Sequence, residues 1–113
     1  MMQISSSESL IYNRDKQMNA KTNDNLRKKI PHITKPDSLL ITKGITNLSP
    51  ASIIEILEKV KNFNDFNREN DPWGEHDFGA FDYKGQKIFW KIDDYNGHSG
   101  YNLVLTVMLA DEY

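Results

Sequence analysis

The fold is predicted first from the stretch DPWGEHDFGAFDYKGQKIFWKIDD, residues 71–94. Two of its runs, HDFGAFDY and KIFWKIDD, carry the aromatic and β-branched residues that favour strands. YKGQ lies between them and has a turn composition, with Gly85 able to adopt a left-handed backbone. The stretch therefore predicts a β-hairpin.

Side-chain alternation separates the two faces of the second strand of this hairpin. Ile88, Trp90 and Ile92 share one face, which we expect to point into the core. Lys91 and Asp93 lie on the opposite face by the same alternation. The charged residues of the strand are therefore expected away from the core.

Two registers of the hairpin remain open. A two-residue Lys84-Gly85 loop predicts three cross-strand pairs: Gly79 with Trp90, Asp82 with Lys87, and His76 with Asp93. A type I turn with Gly85 as the bulge residue slips the register by one residue and sets Asp77 opposite Lys91. In both registers Lys91 and Asp93 share the non-core face with one member of the Glu75, His76 and Asp77 trio.

The other segments supply a helix and two strands. SLLITK predicts a strand over residues 38–43. A helix over residues 50–63 is predicted from the N-cap residue Ser49, from Pro50 at the first helical position and from one apolar stripe. The stripe consists of Ile53, Ile56, Leu57, Val60 and Phe63. YNLVLTVMLA is apolar on both faces, which predicts a strand in the sheet centre or under a partner chain.

The N-terminal region predicts a tail and a short helix. Residues 1–20 are polar and show no apolar period, so we expect a disordered tail. From Thr22 the stretch TNDNLRKKI places Leu26 and Ile30 four residues apart, which predicts a short helix. Residues 21–113 are then a single small domain of the α+β class. Its predicted architecture is an antiparallel β-meander of three to four strands, three of them between about 76 and 110, packed against one main amphipathic helix.

Composition limits the classes of protein that fit. A chain of 113 residues with 38% hydrophobic residues matches one small domain. It contains no Cys, which excludes disulfides, thiolate zinc sites and Cys nucleophiles and fits the cytoplasm. The first twenty residues lack the apolar core of a signal peptide, and no window approaches the roughly 20 apolar residues of a membrane span. We therefore expect no membrane association.

Charge is unevenly distributed along the chain. Residues 1–70 carry 11 Lys and Arg against 8 Asp and Glu, whereas residues 71–113 carry 3 against 8. LRKK, residues 26–29, is too short a run to form a basic nucleic-acid-binding face. The charge pattern therefore argues against a nucleic-acid partner.

Six residues form the candidate polar cluster: Glu75, His76, Asp77, Lys91, Asp93 and Glu112. Glu75, His76, Asp77 and Asp93 supply ligand types that suit Mn²⁺, Mg²⁺ or Zn²⁺, and His76 with Asp93 resembles an oriented general base. Consecutive strand residues point to opposite faces, so convergence requires a bend near Gly74. The competing interpretation is structural, with these residues pairing across strands. No cofactor is predicted, and both Trp73 and Trp90 are expected in the core.

The motifs GEHDFG, FWKID and the C-terminal MLA-x-EY resemble those of a family of small bacterial proteins of unknown function, often found on plasmids and other mobile elements. The resemblance runs from about Asn23 to the C-terminus. It implies a shared small domain and no established activity, cofactor or substrate. In that family the loop after FWKID is usually longer and rich in Asp, Pro and Ser, where this chain has YNGHSG.

Two functions from different classes fit these observations. The first is a non-enzymatic accessory or protein-interaction module of the cytoplasm, with its protein partner and oligomeric state left open. The alternative is a small metal-dependent hydrolase or nuclease that uses Glu75, His76, Asp77 and Asp93. An enzyme needs titratable side chains that converge in a concave pocket, whereas an interaction module needs an exposed apolar or edge-strand surface.

Overall fold

A mixed four-stranded sheet organises the computed structural model, which describes residues 20–95 and 102–113. The strands are β1 (Ser38–Ile41), β2 (Phe78–Tyr83), β3 (Gln86–Asp94) and β4 (Leu103–Leu109), in the spatial order β1-β4-β3-β2. Strands β2, β3 and β4 form the predicted antiparallel meander.

The expectation of an entirely antiparallel sheet is wrong at one edge, because β1 runs parallel to β4. Parallel neighbours require a long crossover connection. The segment between these two strands is long enough, since it contains two helices and the whole β2–β3 hairpin. Because β4 pairs with β1 on one side and with β3 on the other, it lies inside the sheet, as its apolar composition predicts.

The helices are α1 (residues 20–28), α2 (Lys43–Thr46) and α3 (Pro50–Lys61), and a 3₁₀ helix covers Ala110–Glu112. Helix α1 is the predicted short N-terminal helix. Strand β1 ends at Ile41, earlier than predicted, because Thr42 is the N-cap of α2. The carbonyl of Thr42 accepts hydrogen bonds from the amides of Ile45 and Thr46.

Helix α3 begins where its capping residues predict. The Oγ atom of Ser49 accepts a hydrogen bond from the amide of Ser52 at 3.1 Å, and a proline occupies the first turn. Ile56 and Val60 are fully buried. The helix ends at Lys61 and not at residue 63, and Asn62 forms the C-cap.

The β2–β3 hairpin has the register of the two-residue loop. Lys84 and Gly85 have φ angles of 49° and 82°, as a type I′ turn requires. The observed cross-strand partners include Asp82 with Lys87, and Gly79 with Trp90. The slipped register is therefore wrong.

The ladder of this hairpin starts later than predicted. Its first pair is Phe78 with Lys91, so the predicted pair of His76 with Asp93 does not form. The amide of Ile92 still donates to the carbonyl of Asp77, the residue just before β2, at 2.9 Å. His76 adopts a left-handed φ of 55°, which turns the chain away from the sheet before the strand begins.

Trp90 is completely buried and faces Gly79 across the hairpin. A Cβ atom at Gly79 would lie 2.3 Å from Nε1 of Trp90, so the indole occupies the space that any other residue would need. The residues Ile56 and Val60 of α3 belong to the same core cluster as Trp90. Trp73, by contrast, is 63% exposed, and the expectation that it joins the core is wrong.

Two predicted features lie outside the described residues. Only residue 20 of the expected tail over residues 1–20 is described, and it belongs to α1. The turn YNGHSG is described only at Tyr95, so His98 also lies outside. Among residues 20–95 and 102–113, no helix has the length and apolar character needed to cross a membrane.

Candidate functional site

The sequence DPWGEH folds as a turn that Asp71 holds together. Its side chain is 7% exposed and accepts hydrogen bonds from the amides of Glu75 at 3.0 Å and His76 at 3.3 Å. The carbonyl of Asp71 accepts from the amide of Gly74, which has a left-handed φ of 64°. Aspartate before proline commonly starts such a turn, and here it fixes the position of His76.

The imidazole of His76 lies between the carboxylate of Asp24 in α1 and that of Asp71 in its own turn. Its Nδ1 atom is 2.9 Å from Oδ1 of Asp24 in α1, and its Nε2 atom is 3.7 Å from Oδ2 of Asp71. A carboxylate accepts hydrogen bonds, so Nδ1 is the donor toward Asp24. The ring also stacks on Phe66, with centroids 3.9 Å apart and planes 4° from parallel. We call Asp24, Arg27, Asp71 and His76 the His76 cluster.

Arg27 connects this cluster to the end of α3. Its side chain is 4% exposed, and its guanidinium donates to the carbonyls of Val60 at 3.0 Å and Phe63 at 2.8 Å. It also donates to Oδ1 of Asp24 at 2.6 Å. The guanidinium carbon lies 4.8 Å from the ring centroid of Trp90, a cation–π contact. Arg27 therefore joins α1, the C-terminal end of α3 and the core in one network.

Asp77 lies near several other carboxylates. Burial raises the pKa of Asp77, and the nearby charges of Glu75, Asp71 and Asp93 raise it further. Asp93 in turn forms an ion pair with Lys91 at 3.1 Å. Glu75, Asp77 and Asp93 are therefore close enough for their charges to interact, and Lys91 is paired with Asp93.

Glu112 makes its contacts elsewhere. Its carboxylate accepts hydrogen bonds from the hydroxyl of Thr42 at 2.6 Å, the amide of Gly44 at 2.9 Å and the amide of Leu109 at 2.8 Å. These bonds, that of Thr42 above all, lower the pKa of Glu112. Glu112 therefore ties the C-terminus to the start of α2, away from His76.

Within residues 20–95 and 102–113, no group of three or more His, Asp or Glu side chains is placed to hold a metal ion. The nearest approach to a catalytic arrangement is the contact of His76 with Asp24, which orients the imidazole as a carboxylate orients a general base. Asp71 occupies the other side of the ring.

Two clefts flank the stacked rings of Phe66 and His76. The α1–α3 cleft, of about 450 Å³, is lined by Asp24, Arg27, Lys28, Lys61, Asn62, Phe63, Asn64, Phe66 and His76. The Trp73 cleft, of about 360 Å³, is lined by Phe66, Asn67, Arg68, Asp71, Pro72, Trp73, Gly74 and His76. The two aromatic rings form the wall that both clefts share.

The partners of His76 carry no signal in the sequence. Asp24 and Arg27 are charged residues three positions apart in the helix α1. No sequence pattern links this helix to His76, which lies 52 residues after Asp24. The contact of Asp71 with the imidazole was not predicted either. Nothing in the local pattern of the sequence marks Phe66 as the ring beneath His76.

Comparisons with known proteins place the chain in a family. The model of the family described as "Protein of unknown function (DUF3768)" matches residues 41–103. This range contains Asp71 and His76, whereas Asp24 and Arg27 precede it. Searches of curated proteins and of solved structures returned no match. Because the matched range covers more than half of the chain, the protein belongs to the DUF3768 family.

Proposed function

We propose that the protein is a non-enzymatic interaction module that binds a protein partner through the Trp73 cleft. The observation that carries the proposal is the 63% exposure of Trp73 at the rim of a cleft whose lining includes Phe66 and Arg68. Tryptophan and arginine are the residues most enriched among those that dominate binding energy at protein interfaces. An exposed indole beside a cleft therefore supports a docking site.

The loop that carries Trp73 is held by its own hydrogen bonds. The side chain of Asn67 accepts from the amides of Glu69 at 2.8 Å and Asn70 at 3.0 Å, and the side chain of Asn70 donates to the carbonyl of Asp65. Asp71 holds the following turn. A surface that is ordered before binding loses less conformational entropy when the partner docks, which supports an interaction role for this loop.

The bonding of the candidate catalytic groups also favours a structural role over a metal-dependent hydrolase or nuclease. His76 contacts Asp24 and Asp71, and Asp93 is paired with Lys91. The carboxylate of Asp71 accepts hydrogen bonds from the backbone amides of Glu75 and His76. Each of these groups already has a partner within the folded chain, which supports a structural role.

The proposed setting is the bacterial cytoplasm, with the protein acting as an accessory factor. The absence of Cys from the sequence is typical of a reducing compartment. The resemblance to small proteins of mobile elements supports the bacterial setting.

The test is affinity purification with tagged wild-type protein and two variants, Trp73→Ala and Ile54→Ala. Ile54 is 67% exposed on α3 and does not line the Trp73 cleft, so it controls for general loss of surface hydrophobicity. We expect a partner that Ile54→Ala retains and Trp73→Ala loses. The purified partner should then change the fluorescence of wild-type protein, because Trp73 is the exposed indole and Trp90 is buried. Equal loss of every partner in both variants would contradict the proposal.

A further inference from the structure

The α1–α3 cleft has a charge distribution that internal contacts do not balance. Helices α1 and α3 end beside it, with Lys28 as the last residue of one and Lys61 as the last residue of the other. The C-terminal end of a helix exposes carbonyl oxygens and carries partial negative charge. At α3 this charge is already met by Arg27, whose guanidinium binds the carbonyls of Val60 and Phe63.

The one acidic residue in the lining of this cleft is also neutralised from within. Asp24 accepts a hydrogen bond from Arg27 at 2.6 Å, and its Oδ1 atom is 2.9 Å from Nδ1 of His76. Arg27 and Asp24 therefore cancel each other's charge. The network is fixed in place, since the side chain of Arg27 is 4% exposed.

Lys28 and Lys61 supply the remaining charge. Neither forms an ion pair with any residue in the ranges 20–95 and 102–113. The lining of the cleft thus includes two lysine residues without an internal carboxylate partner, although the whole chain carries a formal net charge of −2. Such a local excess of positive charge in a concave surface concentrates anions.

From these observations we infer that the α1–α3 cleft binds a phosphate monoester as its dianion. Two lysine ammonium groups match the double charge of a phosphate dianion better than they match the single charge of a carboxylate. Lysine binds phosphate as a point charge. Asn62 and Asn64 add amide groups to the lining, and Phe63 and Phe66 add apolar surface for the organic part of the ester. A volume of about 450 Å³ lies within the range of small-molecule sites.

This site shares Phe66 and His76 with the Trp73 cleft, but the residues that carry the two proposals differ. Trp73 does not line the α1–α3 cleft, and Lys28 and Lys61 do not line the Trp73 cleft. Failure of one proposal therefore leaves the other intact.

The test is a titration of the ¹⁵N-labelled full chain with phenyl phosphate, followed by NMR at a pH about one and a half units above the second phosphate pKa of about 6. We expect saturable shifts of the amides of Lys28, Lys61 and Asn62. Lys28→Gln and Lys61→Gln should each raise the dissociation constant about tenfold, as loss of one charged contact does. Lys59→Gln is the matched control, because Lys59 is exposed on α3 and does not line the cleft.

Other probes separate phosphate recognition from weaker explanations. Phenol should cause no saturable shift, and benzoate should bind more weakly than phenyl phosphate. Inorganic phosphate should shift the same amides with lower affinity, because it lacks the ring. The inference would be overturned by the absence of saturable shifts, by equal binding of benzoate or phenol, by binding of inorganic phosphate alone, or by a loss in Lys59→Gln as large as in Lys61→Gln.

Discussion

Oδ1 of Asp24 lies 2.9 Å from Nδ1 of His76, joining α1 to a turn 52 residues further along the chain. The same carboxylate oxygen accepts a hydrogen bond from the buried guanidinium of Arg27. Asp24 is therefore the residue through which the two basic side chains of the His76 cluster are held together.

Replacing Asp24 should destabilise the protein strongly. Asp24→Ala leaves the buried guanidinium of Arg27 without its carboxylate partner, which should lower the free energy of unfolding by about 2 to 4 kcal/mol. Urea unfolding measures the change. Asp65→Ala is the control, because Asp65 is exposed and should cost less than about 0.5 kcal/mol. Equal effects of the two variants would show that the network does not stabilise the fold.

The contact of Trp90 with Gly79 predicts a coupled pair of substitutions. Gly79→Ala places a methyl group against the indole, which should cost about 1 to 3 kcal/mol of unfolding free energy. In a Trp90→Phe background the atoms that clash are absent, so the same substitution should cost less. Denaturation of the two single variants and the double variant measures this coupling. Additive costs would contradict the close packing of the pair.

Local signals in the sequence were enough to predict the helix at Ser49 and a hairpin turn around Gly85, but they left two registers of the hairpin open. A cap, a proline and an apolar stripe specify the helix within a few residues, whereas the composition of the turn fits both a two-residue loop and a type I turn with a bulge. The parallel pairing of β1 could not be predicted in this way, because it depends on a partner strand far along the chain.

The candidate site was predicted only in part for the same reason. Asp93 and Lys91 are close in sequence, and they pair. The partner of His76 is Asp24, and Glu112 contacts Thr42 and Gly44 in addition to its neighbour Leu109. Asp24, Thr42 and Gly44 are distant along the chain from the residues that they contact. The predicted strand included His76, but its left-handed backbone conformation places His76 before the strand.

Asp77 predicts a dependence of stability on pH. Burial and then the charge of Glu75 raise the pKa of Asp77 in the folded protein. Between the unfolded value, about 3.9, and the raised folded value, the folded state binds more protons, so this group lowers stability as pH rises. Asp77→Asn removes that loss. Its stability relative to wild type should therefore increase with pH through this window and be largest at neutral pH. Urea unfolding at several pH values measures the difference in unfolding free energy between Asp77→Asn and the wild type. A difference that does not change with pH would contradict the prediction.

Glu112 predicts the opposite dependence. The hydroxyl of Thr42 and then the amide of Leu109 lower the pKa of the folded carboxyl group. Its contribution is therefore present above the unfolded value, about 4.3, and is lost as pH falls through the folded pKa. Glu112→Gln should cost less than about 1 kcal/mol at neutral pH, because the group is exposed, and nothing in strong acid. Urea unfolding at neutral and acid pH measures this cost. In a Thr42→Val background, the difference between the costs of Glu112→Gln at neutral and at acid pH should be smaller. An equal cost of Glu112→Gln at all pH values would show that the carboxylate charge is not involved.

We predict that His76 and the carboxylates around it stabilise the fold and do not bind a metal. The most direct measurement is thermal unfolding of wild type and His76→Ala with and without saturating Mn²⁺. We expect no metal-dependent change in the Tm of either protein, because the imidazole is held by Asp24 and faces Asp71 on its other side. A metal site would stabilise the wild type by about 2.7 kcal/mol at a hundredfold excess over the dissociation constant. A clear rise of Tm in the wild type that is lost in His76→Ala would contradict the claim and favour the metal-dependent hydrolase or nuclease.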